Sequence, residues 1–283
     1  MISENLILMG PGESVLNVTE DIKKINNTQI LGLQWVFPYT HILFNLLPNY
    51  WTWLDPHGAV FGLKYIIENH KKYPEIKSMK IVIPHFVCST YREFRNYLGT
   101  TPLGRNPTLW NEYSSLLDDV SNIVQVKKIN STTTKNIFLD PSNNKDLLGD
   151  IYGEESFLRF MGNPVFGTVK YDSDRVIGSL NRWGLENKIS STMLPLAHYL
   201  GAKNVYSIGF DFIGARFYDK KKSRHAWGSD VSSLNDNIKF SLSLVEKWIQ
   251  WKDYHNMSIY SISKQSSSLL NLVVPQVKVS EIK

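Results

Sequence analysis

The sequence predicts an α/β protein with a doubly wound, mostly parallel sheet and helices on both of its faces. Three observations predict it. Apolar runs of strand length alternate with segments of helical spacing, Gly or Pro ends several of these runs, and 283 residues suffice to bury a full core. Neighbouring parallel strands need a crossover connection, which the intervening helices supply. With 42% hydrophobic and 20% charged residues, a disordered or coiled-coil chain is excluded. We expect a single domain over residues 1–283.

The chain opens with the pattern of a strand, a tight turn and a helix. Residues 6–9 are apolar and stop at Gly10, and apolar residues at helical spacing follow Ser14. The next predicted elements are a strand at 29–36, a helix at 60–69 and a strand at 80–84.

The middle of the chain, residues 96–165, is predicted to form an irregular, lid-like insertion. Asn, Thr, Ser, Asp and Gly are frequent there, and helical signals are few. Short apolar runs favour strands only at 123–126 and 136–139.

Regular structure returns in the last third of the chain. A helix is predicted at 192–200 because the apolar stretch ends before Gly201, the residue type preferred just past a helix C-terminus. A strand at 205–210, a long amphipathic helix over 234–249 and a last strand at 258–263 follow. The complete alternation is Rossmann-like.

The net charge of +5 is too small and too dispersed to predict nucleic-acid binding. The one dense basic run covers residues 220–224. It is either a solvated loop or a contact for an anionic donor, acceptor or membrane surface, and the sequence leaves both open.

The single cysteine, Cys88, cannot form an internal disulfide and favours a reducing compartment. The sequence begins without a signal-peptide pattern and has no apolar stretch of membrane-spanning length. We therefore expect a cytoplasmic protein, either free or peripheral to the inner membrane. The eight Trp are compatible with homo-oligomerisation, which the sequence does not specify.

Open parallel sheets bind ligands beyond the carboxyl ends of their strands, so residues that follow strands are candidates for a site. Gly10 and Gly12 allow the backbone to approach a nucleotide closely, although the shape of the turn alone explains them equally well. Asp55 and Asp211 each follow a strand, and each is a ribose acceptor, a metal ligand or a helix N-cap. Because no established metal-binding motif occurs in a suitable context, no metal cofactor is expected.

Among the seven histidines, His225 differs by lying in a polar, Gly-containing segment, residues 223–230, ahead of the predicted long helix. An imidazole in such a loop can serve as a general base near neutral pH. The alternative is an ordinary surface histidine.

The order of these segments resembles the small bacterial sialyltransferases of glycosyltransferase family 42. Residues 10–14 (GPGES) are similar to the family's Gly-Asn-Gly-Pro-Ser loop, and residues 188–191 (KISS) to its Arg-Ile-Thr-Ser segment. Residues 209–212 (GFDF) are similar to its Gly-Ile-Asp-Phe strand end, and residues 265–270 to its closing Pro-Asn-Ser-Leu-Leu. The resemblance covers both ends of the chain and the block 188–230, roughly half of it.

The resemblance implies a metal-independent transfer of a sialic-acid-like nonulosonic acid from a CMP-activated donor to a surface glycan acceptor. The donor and the acceptor are then the expected partners. The residues implied to hold the donor lie on the matching segments and at two strand ends: Gly10, Pro11, Gly12, Ser14, Asp55, Lys188, Ser190, Ser191 and Asp211.

Departures from the family pattern shape the expected catalytic residues. Pro11 and Asp55 each stand where the family has Asn. Two family tyrosines that stabilise the leaving phosphate fall on Ile213 and about Arg216, whose guanidinium can neutralise phosphate instead. The family's catalytic His falls on Ser229, which has no suitable proton affinity. The role of base therefore passes to His225, with Asp230 as the alternative.

Two other interpretations stay open. The order Gly-Pro-Ser, Asp-Pro and Gly-x-Asp also resembles flagellin-glycosylation proteins and archaeal pterin pyrophosphokinases, and Asp55 before Pro56 fits that group slightly better. A catalytically inactive relative that only binds a nucleotide sugar is the third interpretation.

Overall fold

The computed structural model describes residues 4–26, 28–53, 56–84, 107–129, 190–211, 216–217, 256–264, 271 and 274–282. The chain divides into two compact units, one formed by Met1–Trp51 with Met193–Lys283 and the other by Thr52–Thr192. The single domain over residues 1–283 stays a prediction.

The described residues form seven strands: β1 (Asn5–Met9), β2 (Gln29–Leu33), β3 (Tyr50–Thr52), β4 (Lys80–Pro84), β5 (Gln125–Ile129), β6 (Asn204–Ile208) and β7 (Ser258–Ser261). They lie in one sheet in the order β5-β4-β3-β2-β1-β6-β7. The described registers, β1 with β2, β1 with β6, β6 with β7 and β4 with β5, are all parallel. The predicted α/β class is confirmed.

The strand order reverses between β1 and β6. From β1 the chain moves to β2 on one side, and after β6 it moves to β7 on the other side. Because crossovers between parallel strands are right-handed, connections that run in opposite directions along a sheet lie on its opposite faces. The sheet is thus doubly wound, with its topological switch point between β1 and β6.

The helix predicted after β1 is divided into two short pieces. A 3₁₀ turn (Glu13–Asn17) precedes the helix α1 (Thr19–Ile22). The Thr19 hydroxyl donates to the Val15 carbonyl at 2.6 Å, and this local bond competes with the regular helical pattern.

The strand predicted at 29–36 is shorter in the structure. It ends at Leu33 because Gln34 has a φ of 40°, which lies outside the extended region. The helix α2 (Val36–Phe44) follows. Its C-cap residue, Asn45, has a left-handed backbone conformation with a φ of 51°. No helix is predicted from the sequence at the position of α2.

The helix α5 (Ser190–Tyr199) agrees with the prediction to within two residues. Gly201 has a φ of 89°, and its N–H donates to the His198 carbonyl at 2.9 Å. The Ala202 N–H donates to the Ala197 carbonyl at 3.0 Å, which completes a Schellman motif. Gly201 therefore closes α5 as predicted.

The second unit contains a helix where the sequence analysis found few helical signals. Besides α3 (Pro56–Asn69) and a 3₁₀ turn (Pro74–Ser78), this unit holds α4 (Pro107–Ser121), inside the region predicted as irregular. Residues 96–106 and 130–165, and the predicted helix at 234–249, lie outside the described residues.

The stripe that α4 buries explains why this helix was missed. Tyr113, Leu117 and Val120 recur at helical spacing and are at most 5% exposed, whereas the residues between them are mostly Ser and Asp. The helix rests on this narrow stripe, and its average composition is that of a loop. β5 then occupies 125–129 rather than the predicted 123–126.

Candidate functional site

The candidate site lies at the carboxyl ends of β1 and β6, the position where open parallel sheets bind ligands. Residues 10–14, the glycine loop, leave β1, and residues 209–211, the Asp211 segment, leave β6. The Gly10 N–H donates to the Ile208 carbonyl at 2.8 Å, and the Gly12 N–H donates to the Gly209 carbonyl at 2.8 Å. Two segments that the sequence analysis singled out separately are thus in direct contact.

Glycine is required for this contact. A Cβ atom on Gly10 would lie 2.5 Å from the Gly209 carbonyl oxygen, and one on Gly12 would lie 2.8 Å from the same atom. Gly209 itself has a φ of 74°, in the region that favours glycine. The close packing of the two segments therefore explains Gly10 and Gly12 without a ligand.

Ser14 and Asp211 join the two segments through side chains. Asp211 Oδ2 accepts a hydrogen bond from the Ser14 amide at 2.9 Å, and Ser14 Oγ accepts one from the Gly209 amide at 3.0 Å. Ser14 is fully buried and Asp211 is 3% exposed. The Asp211 carboxylate thus caps the 3₁₀ turn of the glycine loop from a distant part of the sequence, which differs from the local helix N-cap considered for Asp211 in the sequence.

This cap affects where an anion can bind. An amide at the start of a helical turn is a common phosphate contact, but the Ser14 amide already donates to a carboxylate. Glu13 adds a second acidic residue in the first turn. A phosphate directly over this amide is therefore disfavoured by charge repulsion.

Arg216 is brought next to the glycine loop. Its backbone forms an antiparallel bridge with Gly12, and the Phe217 N–H donates to the Pro11 carbonyl at 3.0 Å. Arg216 is partly exposed. A residue that the resemblance implicates in neutralising phosphate thus lies beside the switch point, adjacent to the carboxylate cap.

The other predicted site residues divide into two groups. Ser190 and Ser191 are the first two residues of α5. Four lie outside the described residues and stay predictions: Asp55, Lys188, His225 and Asp230.

Gln34, just past the carboxyl end of β2, has a backbone conformation that is not predicted from the sequence. Its φ of 40° is unusual for a residue other than glycine, and its carbonyl accepts a hydrogen bond from Trp51 Nε1 at 2.8 Å. The available signal in the sequence was the position of Gln34 directly after a strand. The strand was predicted to extend to residue 36, so Gln34 was placed inside it.

A polar network lies at the carboxyl end of β7. Ser261 Oγ donates to Asn271 Oδ1. The Ser263 carbonyl accepts from the side-chain amides of Asn271, at 3.3 Å, and of Gln276. These hydrogen bonds attach Asn271 and Gln276 to the end of β7, the edge strand of the sheet.

His198 and Asp21 have shifted pKa values within the same unit. Burial of His198 on α5 lowers the pKa of its imidazole. The ammonium group of Lys264, 3.0 Å from the Asp21 carboxylate, lowers the pKa of that exposed acid, and Lys24 adds to the effect.

The described residues contain no group of three or more His, Cys, Asp or Glu side chains arranged to hold a metal ion. Among the helices of the described part of the chain, none has the length and apolar character needed to cross a membrane.

Neither a protein-family model nor a curated protein matches the sequence. The chain is similar to the solved structure of the sialyltransferase CstII from Campylobacter jejuni in complex with CMP-3FNeuAc. The identity is 14%, the match covers 97% of this chain and 87% of CstII, and the TM-score is 0.47.

Two further solved structures show similarity at the same level. One is CST-II in complex with a trisaccharide acceptor and CMP, at 13% identity, 96% and 85% coverage and a TM-score of 0.48. The other is the monofunctional alpha-2,3-sialyltransferase Cst-I of Campylobacter jejuni, at 14% identity, 98% and 81% coverage and a TM-score of 0.46. All three of these solved structures are sialyltransferases.

Proposed function

We propose that the protein is a glycosyltransferase that transfers a sialic-acid-like nonulosonic acid from a CMP-activated donor to a glycan acceptor. The observation that carries the proposal is the position of Arg216, which is bridged to Gly12 at the switch point of the sheet. The motif resemblance on residues 10–14, 188–191 and 209–212 supplies the donor class.

Charge favours Arg216 as the place of the donor phosphate. In the described part of the chain, two groups beside the switch point are candidates to bind an anion: the amides of the glycine loop and the side chain of Arg216, whose backbone is bridged to Gly12. Asp211 and Glu13 make the first unfavourable, since a carboxylate already accepts from the Ser14 amide. A guanidinium can bind phosphate through two parallel hydrogen bonds and offsets its negative charge.

The reaction is a direct displacement. An acceptor hydroxyl oxygen bonds to the anomeric carbon of the donor sugar while the bond from that carbon to the phosphate oxygen breaks. CMP leaves with the bonding electron pair, and Arg216 stabilises the charge that develops on its phosphate. The hydroxyl proton passes to His225, with Asp230 as the alternative base.

The remaining residues of the site hold the nucleotide. Gly10, Pro11, Gly12 and Ser14 present the glycine loop, whose conformation Asp211 fixes through the Ser14 amide. Asp55 and Lys188 complete the proposed donor site. Ser190 and Ser191 supply hydroxyl groups at the start of α5.

Ligand-dependent thermal stability tests the proposal. Unfolding of the complete chain is followed with CMP, UDP, GDP or ATP, each with and without Mg²⁺. A ligand that binds only the folded state at a hundred times its Kd raises the free energy of unfolding by about 2.7 kcal/mol. We expect CMP to stabilise the protein with or without Mg²⁺.

The other interpretations give different results in this experiment or in an assay of sugar transfer. Stabilisation by ATP with Mg²⁺ alone would favour a pyrophosphokinase-like protein. Stabilisation by CMP without transfer from CMP-sialic acid to any lipooligosaccharide acceptor would indicate an inactive relative. No response to CMP would contradict the proposal.

A further inference from the structure

The backbone around Arg216 is attached to the glycine loop at two adjacent positions. Arg216 is bridged to Gly12, and the Phe217 N–H donates to the Pro11 carbonyl at 3.0 Å. The pyrrolidine ring of Pro11 restricts φ at that residue and so limits the movement of the loop that carries this carbonyl. These contacts fix the backbone of the segment. The position of the long Arg216 side chain also depends on the contacts that hold its neighbour, Phe217.

Phe217 is the neighbour that anchors the segment. Its side chain is 4% exposed, whereas Arg216 is partly exposed. The Phe217 ring lies 6.0 Å from the Phe44 ring on α2, at an interplanar angle of 38°. Phe217 is therefore packed in the interior, whereas Arg216 stays accessible to a ligand.

We infer that Phe217, packed on Phe44 and hydrogen-bonded to Pro11, is a positioning residue that sets the place of the Arg216 guanidinium at the donor phosphate. The inference rests on the proposed function for the presence of that phosphate. Phe217 acts through Arg216 and the backbone, so it needs no contact with the ligand.

The phosphate-dependent part of binding is the measurable consequence. CMP and cytidine differ only in the phosphate, so the ratio of their dissociation constants isolates it. Phe217→Leu keeps an apolar side chain but loses the ring contact, and Phe44→Leu removes the same contact from the other side. In both variants we expect CMP binding to weaken roughly tenfold while cytidine binding stays unchanged, because a small displacement of a positioned group is costly.

A double mutant tests whether Phe217 acts through Arg216. Arg216→Gln should remove the advantage of CMP over cytidine. Adding Phe217→Leu to Arg216→Gln should then cause no further loss, since coupled residues are non-additive. Additive losses in the double mutant would overturn the inference.

Amide exchange of Phe217 provides a readout that needs no ligand. We expect the Phe217 N–H, bonded to Pro11, to exchange faster in Phe44→Leu and Phe217→Leu than in the wild type. Phe37→Leu is the matched control, because it removes a ring from a different aromatic pair of the same unit, in which the Phe37 ring lies 5.1 Å from the Trp51 ring.

The two readouts separate the inference from the proposed function. Unchanged exchange in both Leu variants, or equal acceleration in Phe37→Leu, would show that Phe217 does not position this segment. If the Leu variants exchange faster but the wild-type protein binds CMP no more tightly than cytidine, the proposed phosphate at Arg216 is contradicted. The functional part of the inference is then contradicted with it.

Discussion

The Ser14 amide donates a hydrogen bond to Asp211 Oδ2 at 2.9 Å, across 197 positions of the sequence. Both residues are buried, and a second bond from the Gly209 amide to Ser14 Oγ makes the contact reciprocal. The two segments that leave β1 and β6 therefore behave as one structural element, and several tests of the site follow from this contact.

Asp211→Asn should destabilise the protein. The substitution keeps the size of the side chain but removes the charge from a buried acceptor, at a cost of about 1–3 kcal/mol. Urea unfolding measures the change. Asp21→Asn is the control, since Asp21 is exposed and its ion pairs with Lys24 and Lys264 are surface contacts. Equal effects of the two variants would mean that the Asp211 cap has no special role.

Gly12→Ala should destabilise through steric overlap. The added Cβ would overlap the Asp211 carboxylate and lie 2.8 Å from the Gly209 carbonyl oxygen, and overpacking typically costs about 1–3 kcal/mol. Gly201→Ala is a useful comparison because no heavy atom lies within 4 Å, so only its φ of 89° is strained, at about 1 kcal/mol. Denaturant unfolding compares them, and a neutral Gly12→Ala would contradict the described packing.

Arg216→Gln should weaken CMP binding by roughly 10–100-fold, the loss expected for a hydrogen bond to a charged group. Titration calorimetry provides the measurement. Lys203→Gln is the charge-matched control, because Lys203 lies at the opposite end of β6 in an exposed pair with Glu4. If both variants lost affinity equally, the effect would be one of net charge and not of Arg216.

His225→Ala should lower kcat/KM for transfer from CMP-sialic acid by at least a hundredfold. General base assistance is typically worth ~10²–10⁴ in rate, and CMP affinity should not change because the base contacts the acceptor hydroxyl. Steady-state kinetics and CMP titration are measured together. Full activity in this variant, with loss in Asp230→Asn, would move the role of base to Asp230.

The stability of the protein should depend on the charge of His198. Burial lowers the pKa of His198 below its ordinary value of 6.5, so the unfolded chain binds the proton more readily than the folded one. The contribution of neutral His198 to the free energy of unfolding is fully present above pH 6.5. It is lost as the pH falls through the pKa of His198 in the folded state. Urea unfolding from pH 5 to pH 8 should show this slope in the wild type but less of it in His198→Gln. If the free energy of unfolding depended on pH in the same way in both proteins, the lowered pKa of His198 would be contradicted.

Local signals in the sequence predicted local features well. Gly201 was predicted to end α5 because the signal, one glycine after an apolar helix, involves adjacent residues only. The helix α4 was missed because its buried stripe is narrow and its other residues are those of a loop.

Features of the site that depend on distant contacts were harder to predict. The sequence identified the glycine loop and Asp211 as separate strand ends, but nothing in either segment indicates that they bind each other. Arg216 was predicted through a family resemblance, and its bridge to Gly12 depends on tertiary structure alone. Gln34 has a backbone conformation that its residue type does not suggest.

The pairing of β1 with β6 has a consequence for biosynthesis. β1 leaves the ribosome well before its partner on that side, Asn204–Ile208. At typical translation rates the delay is on the order of 10 to 40 s. Throughout this interval one edge of β1 lacks its native neighbour, and unpaired strand edges promote aggregation. Nascent chains that stop before residue 204 should therefore be substrates for chaperones, and they cannot contain the assembled site.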